Sequence, residues 1–436
     1  MQSDQNKKVI SIKTNSEYKE VKVKKRSEYK RDRNTKAVGV QKRSKHKEVR
    51  KKAVGTQKLT EETFMSTLSY AIVGCGVVAK KHLKAALFHK EHLNLQAVVD
   101  QNEAAARLLL KNSGLPEKMQ KQVRVYRDSD QMLKEVRPEL TAITTPSGSH
   151  YELACKALTS GSHVLVEKPL TLNLEQARQM LMLAEKQNRK IAVGHIYRFF
   201  PLVQALEADL RAGVFGRILY GDVKVRWGHD QAYYDQAGWR GTWQADGGAL
   251  MNQSIHALDL MTWLLGESVT DVCGMIDRQV HQMQAEDFGM AILKMTGQVY
   301  CQLEGTTNTD PDQQEASFYI CCSEGEIRGS ILAGKPRIMV RNRAGKKKTG
   351  AYLKKFVRQT YQQFGLKGFT VLKNPHTALY GDLLEAIRVQ REPLANGFSG
   401  MKAVEHVLAI YQSAKQKQQI ALPVSDFDLS GMNSFF

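Results

Sequence analysis

The sequence predicts an α/β chain with two folded parts: a parallel, doubly wound sheet first, then an α+β unit with a large, mostly antiparallel open sheet. Three observations carry that expectation. Strand-like and helix-like runs alternate from Ser69 to Gly194. Gly74-Cys75-Gly76-Val77-Val78-Ala79 follows the first strand and opens the first helix. After Gly216 the runs become strand-like and closely spaced. At 436 residues the chain is also too long for one compact core, so two domains are the default.

Residues 1–64 come first and read as a separate object. Ser16-Glu17-Tyr18-Lys19 recurs as Ser27-Glu28-Tyr29-Lys30, and Lys36-Ala37-Val38-Gly39 recurs as Lys52-Ala53-Val54-Gly55. These basic repeats hold too few large apolar residues to build a core, so the segment reads as a disordered extension. It is a polybasic tether, a dispensable extension, or a mis-assigned start before Met65. The second and third readings are preferred, because Met65-Ser66-Thr67-Leu68 leads straight into a strand.

Tyr70–Val73, Leu95–Asp100, Val123–Tyr126, Leu140–Thr144, His163–Val166 and Ile191–Gly194 are short apolar runs of strand length. Between them, Val77–Phe88, Glu103–Ser113, Asp128–Val136, Ser149–Ser160 and Leu174–Asn188 have helical spacing. These elements make a domain over 65–195. The second domain, over 196–423, opens with alternation in Ile218–Trp227 and a helix at Ala249–Leu264. Strands are expected at Val269–Ile276, Phe288–Lys294, Val299–Glu304, Ser317–Cys322 and Arg337–Val340. The basic, glycine-studded stretch Asn342–Phe369 reads as an exposed loop or lid. Helices at Thr377–Val389 and Met401–Lys415 close this domain, and 424–436 is a tail.

Composition narrows the class. The formal charge is +20, but residues 1–64 hold 20 Lys+Arg against 8 Asp+Glu. The excess is therefore concentrated in the extension, and the folded part gives no general argument for nucleic-acid binding. The six cysteines form no C-x-x-C pair, which fits a reduced, cytoplasmic protein. No apolar run is long enough for a transmembrane helix, and no secretory signal core is present at the N-terminus.

The glycine loop defines a candidate dinucleotide site. Gly74 permits a tight turn, Gly76 lets backbone approach a pyrophosphate, and Ala79 stands in for a third glycine. Cys75, Val77 and Val78 complete the loop, and the helix start supplies N–H donors to phosphates. Asp100 ends the second strand, where an acid accepts hydrogen bonds from an adenosine ribose. Its neighbours Gln101 and Asn102 are neutral, so NAD is preferred over NADP. Thr145-Pro146-Ser147 follows the strand at Leu140–Thr144, at a carboxyl end where ligands bind, and is placed to lie over the nicotinamide half.

Two further runs supply reactive groups. Glu167-Lys168-Pro169 follows His163–Val166, and proline forces the chain out of the sheet there. Lys168 is thereby placed to bind a substrate hydroxyl and stabilise alkoxide charge. Asn252 and His256 are four apart on the later helix and share a face. His256 suits the role of base. Asp259, three residues on, could orient its ring. Read alone, His256 would be a hydrogen-bonded core histidine, but Gly247-Gly248 just before suggests close approach by a ligand or backbone. No metal ligand set is apparent.

Taken in order, these motifs resemble the Gfo/Idh/MocA oxidoreductase family: the Ala71–Ala79 turn, Thr145-Pro146 with His150, Glu167-Lys168-Pro169, Gly194 with Arg198, and the Gly-Gly…His…Asp helix. The resemblance runs from about Leu68 to Pro423. It implies a sugar-like substrate between the domains, NAD as cofactor, Lys168 and His256 as the catalytic pair, and oligomers formed through the second sheet. It also implies an N-terminal Rossmann domain and places His150, Glu167, Lys168 and Arg198 among the cofactor contacts. Many members carry aspartate where this chain has Asn252. Leu250–His256, Arg198-Phe199-Phe200-Pro201 and Trp239-Arg240-Gly241-Thr242-Trp243 resemble the subgroup of UDP-N-acetyl-glucosaminuronate 3-dehydrogenases of surface-polysaccharide pathways. That likeness implies a UDP-linked amino-sugar acid bound by Lys168, Asn252, His256 and Arg240. The alternatives are a free cyclitol or monosaccharide dehydrogenase, a non-catalytic NAD(H)-binding regulator, and a nucleic-acid-associated protein acting through its basic tail.

Overall fold

A computed structural model of the chain describes residues 67–365, 368, 374–424 and 427–436. The basic extension expected over 1–64 lies outside the described residues.

The first sheet comprises β1 (Leu68–Val73), β2 (Leu93–Val99), β3 (Arg124–Tyr126), β4 (Leu140–Ile143), β5 (His163–Val166) and β6 (Ile191–Val193). Their order is β3-β2-β1-β4-β5-β6, and every pair is parallel. β4 and β5 are buried along their whole length, which explains why they read as unbroken apolar runs. The strand order reverses between β1 and β4. A crevice opens at the carboxyl ends of strands at such a switch point, and Gly74 and Thr144 both lie there.

The second sheet comprises β7 (Ile218–Arg226), β8 (Val269–Asp277), β9 (Phe288–Met295), β10 (Tyr300–Thr306), β11 (Glu315–Cys322), β12 (Gly325–Leu332), β13 (Lys335–Asn342) and the short β14 (Ile420–Ala421). The order is β13-β12-β11-β7-β10-β9-β8-β14. Only the β10–β7 pair is parallel. Side chains alternate in β9: Ala291, Leu293 and Met295 are buried, whereas Met290, Ile292 and Lys294 are exposed. Helices Ile255–Leu265 and Gly397–Gln416 share the hydrophobic core on the covered face.

The expected alternation and texture are present, and four differences bear on the site and its surroundings. β12 was not expected, because Gly325, Gly329, Glu326 and Arg328 dilute its strand signal. The helix Pro201–Arg211 was also missed, although proline at its first position suits a helix start. The loop or lid expected over Asn342–Phe369 instead contains a helix, Thr349–Phe364. Tyr352 and Lys355 anchor it to Asp209, at 2.6 and 2.9 Å. Finally, the helix His376–Val389 does not simply close the second domain. Leu379, Tyr380, Leu383 and Ile387 join the core of the first sheet. Among the described residues, no helix is long and apolar enough to cross a membrane.

Candidate active site

The crevice at the switch point is built for close backbone approach. Gly74 has φ of +93°, and a Cβ there would lie 2.8 Å from Thr144 and Thr145. Only glycine meets both conditions. Gly76 faces open space, and Val77 is 80% exposed on the rim. Ala79 is fully buried. The helix Ala79–Phe88 starts at Val78 without a side-chain cap, so its first N–H groups suit a phosphate. Asp100 sits at the lip, where its Oδ2 accepts from the Cys75 N–H at 2.7 Å. Its Oδ1 accepts from the Asn102 N–H at 2.8 Å. The Thr144 hydroxyl donates to the Gly74 carbonyl at 2.5 Å, locking the two loops together. Thr145, Pro146 and Ser147 follow directly. These residues fit a dinucleotide: a tight turn, an uncapped helix start and a carboxylate at a strand end come together.

Three residues expected at the cofactor spend their polar atoms inside the protein. His150 is 1% exposed, and its ring nitrogens face the carbonyls of Pro169 at 2.8 Å and Thr145 at 3.0 Å. It therefore ties the Thr145-Pro146 loop to the turn after Lys168. Glu167 is buried between His82 at 2.8 Å and His376 at 3.1 Å. Burial alone would raise its pKa, but these two imidazoles hold it well below the usual carboxylate range. A Cβ on Gly194 would meet its carboxylate at 2.9 Å, so that glycine makes room for it. Arg198 makes a two-pronged pair with Asp259, at 2.8 and 2.6 Å, and donates to the Leu394 carbonyl. The expectation that Asp259 orients His256 thus fails. Arg198 occupies that carboxylate.

Lys168 and Asn252 meet across the two domains. The Lys168 Nζ donates to the Asn252 carbonyl at 2.7 Å and to its Oδ1 at 3.1 Å. Burial pushes the lysine pKa down, against the pull of Glu167 and Asp246. Asn252 lies in a single π-helical stretch, Ala249–Ser254, which precedes Ile255–Leu265. Such wide turns concentrate at functional sites. The Asn252 amide donates in turn to Asp246. Asp246 is 2% exposed, and burial raises its pKa despite the Gly241 N–H it accepts.

His256 follows on the same face. Its Nδ1 is buried without a partner. Its ring is packed by Tyr197, with centroids 5.2 Å apart, and by His195 at 6.0 Å. Burial and the nearby Lys168 hold its pKa well below the ordinary histidine value, so the ring is neutral near pH 7 and able to accept a proton.

Sequence reasoning missed two members of this group. Asp246 directly precedes the Gly247-Gly248 pair, a position that could have flagged it. His195 follows Gly194 at the end of β6, by the same logic that singled out Lys168. Both of its ring nitrogens are buried and find no partner among the described residues. Arg240 makes no hydrogen bond to Lys168 or His256 among the described residues, although the Asp246 carboxylate feels both Arg240 and Lys168. Its guanidinium lies 3.9 Å from the Tyr233 ring centroid and donates to the Tyr233 carbonyl.

A nucleotide crevice, a lysine at a strand end and a neutral histidine on a second-domain helix together define a dinucleotide-dependent oxidoreductase class. Family comparison agrees. Residues 68–195 match the "Oxidoreductase family, NAD-binding Rossmann fold" model of Gfo/Idh/MocA, and 203–328 match the C-terminal domain of the same family. Together these cover more than half of the chain, which therefore belongs to the Gfo/Idh/MocA family, with NAD as its cofactor. The fold is similar to two solved structures described as WlbA dehydrogenases in complex with NADH and UDP-GlcNAcA. The Bordetella pertussis protein is 26% identical, with a TM-score of 0.69 over 83% of this chain and 100% of that one. The Chromobacterium protein is 26% identical, with a TM-score of 0.72 over 84% and 98%. The D-glucoside 3-dehydrogenase of Escherichia coli is 31% identical over 46% of this chain and 55% of its own length. The first curated relatives are matched over 55% to 66% of their length.

Proposed function

We propose that the chain is an NAD-dependent dehydrogenase that oxidises a secondary hydroxyl of a sugar to a ketone. The preferred substrate is a UDP-linked N-acetyl amino-sugar uronic acid, oxidised at C3. The observation that carries the activity is the direct contact of Lys168 with Asn252, with the neutral His256 one turn further on. The likeness to two dehydrogenases bound to NADH and UDP-GlcNAcA supports the substrate.

The residues divide the work. Lys168 donates to the substrate hydroxyl oxygen and stabilises the negative charge that develops on it. Asn252 holds that lysine and offers its amide to a neighbouring hydroxyl. His256 accepts the hydroxyl proton through Nε2, the nitrogen opposite its buried Nδ1. Bound NAD supplies the acceptor for the hydride leaving the carbon. Asp100 would hold the adenosine ribose, and the loops at Gly74 and Thr145 would hold the phosphates and the nicotinamide half. The reduced thiols of Cys75, Cys155, Cys273, Cys301, Cys321 and Cys322 suit a cytoplasmic enzyme.

The test is a substrate panel read by the absorbance of reduced nicotinamide. UDP-linked amino-sugar acids should give signal where free cyclitols and monosaccharides give little. Signal with free sugars and none with UDP-sugars would overturn the substrate assignment.

A further inference from the structure

A cavity of about 590 Å³ lies in the second domain, between the 234–242 segment and the 278–284 loop joining β8 to β9. Its size suits a small-molecule ligand. Arg240 and Arg278 both line it. Neither makes a salt bridge among the described residues. Arg278 uses one guanidinium nitrogen on the Met283 carbonyl, at 2.5 Å. Arg240 uses one on the Tyr233 carbonyl, and its Nε is buried without a partner. Two guanidinium groups thus keep donors to spare, in the planar geometry that matches phosphate oxygens.

The rest of the lining fits the same ligand. Thr242, Gln282 and Gln284 contribute neutral polar groups. His281 also lines the cavity, and its ring nitrogens face Asp287 Oδ2 at 3.2 Å and the His229 carbonyl at 3.0 Å. Burial disfavours its charge, but these acceptors win and raise its pKa. The one carboxylate on the wall, Asp235, is exposed and accepts from Gln231.

The cavity neighbours the crevice beside Asn252. Tyr234 lines both this cavity and the smaller crevice that contains Asp246 and Asn252. Alongside it, Gln253 meets His229 at 3.1 Å, and the His229 ring stacks on Tyr233 with centroids 3.7 Å apart. Arg240 then packs on Tyr233. A continuous run of side chains leads from the helix bearing Asn252 to the two arginines.

We propose that this cavity seats the nucleoside diphosphate end of the substrate, with Arg240 and Arg278 clamping the two phosphates. The proposal rests on the nucleotide-sugar reading above and adds Arg278 and the 278–284 loop to the specificity machinery. Calorimetry on NADH-loaded enzyme tests it, with UDP itself as the probe. UDP should bind the wild type, and Arg278→Gln should weaken it by about tenfold or more, the loss expected for a charge-assisted pair. NADH affinity and the unfolding midpoint should stay the same. The KM for a UDP-sugar should rise by a similar factor, with a smaller change in kcat. Equal UDP affinity in both proteins, or none in the wild type, would overturn the cavity assignment. If the wild type oxidises UDP-sugars while Arg278→Gln changes neither KM nor UDP affinity, the cavity is wrong and the dehydrogenase reading stands. If UDP binds through Arg278 but no UDP-sugar is oxidised, the cavity stands and the dehydrogenase reading fails.

Discussion

Lys168 uses two of its three donors on Asn252 and is half-buried. A substrate hydroxyl is the natural recipient of the third. In the proposed reaction the proton passes to His256, whose neutral form is favoured by burial. The sign of the pH effect follows. The working base must be unprotonated, and its pKa is depressed. Activity should therefore hold through the ordinary histidine range near 6.5 and fall only at lower pH. A kcat/KM profile whose acid limb has its midpoint at or above 6.5 would contradict that environment. Lys168, Asn252 and His256 were legible from spacing, because a strand end and a shared helix face put them in reach. Their partners were less so. The Asn252–Asp246 contact depends on the unusual turn between them. The Arg198–Asp259 pair depends on packing that no local pattern encodes.

At the scale of elements, the turn Ala249–Ser254 is held by Glu286. Its Oε1 accepts from the Leu250 N–H and the Tyr411 hydroxyl, both at 2.8 Å, and its carbonyl accepts from the Ala249 N–H. Gly248 leaves no space for a Cβ beside that carboxyl. Burial pushes Glu286 up to about 8, so it is protonated near neutrality. A folded pKa raised above the unfolded one gives stability that is fully present below the unfolded value, near 4.5, and lost as pH rises through 8. Glu286→Gln mimics the protonated acid. Its thermal midpoint should fall less than the wild type's between neutral and alkaline pH, as measured by calorimetry. Equal falls would show that Glu286 titrates normally. The helix Thr349–Phe364 shows why some elements were not legible. Its stretch of sequence is basic and flanked by glycines, which read as a loop although its apolar residues do recur at helical spacing, and the contacts to Asp209 come from a distant helix. β12 is similar, since its pairing with β11 and β13 outweighs its poor propensity.

Across the whole molecule, the parallel sheet was the most legible part, because fully buried strands and amphipathic helices write their periods plainly. The open sheet's outer face bears on assembly. Tyr220, Met275, Met290, Ile292 and Tyr300 are all exposed on its strands. Ile292 sits beside Cys273 and Gln302 in the ladder and is 57% exposed. We propose that this face meets a second copy of the chain, since several large apolar side chains exposed on one sheet face suit a self-complementary interface. Light scattering on Ile292→Glu should then report a smaller assembly than the wild type. An unchanged mass, or a monomeric wild type, would contradict the assignment.

The central claim is that Lys168 and His256 act on a substrate hydroxyl while NAD is held elsewhere. The most direct measurement is single-turnover formation of reduced nicotinamide by Lys168→Met, at saturating NAD and UDP-sugar. The rate should fall by about a hundredfold or more, the loss typical of one charge-stabilising donor, with NAD affinity essentially intact. A near-normal rate, or a defect confined to NAD binding, would contradict the account.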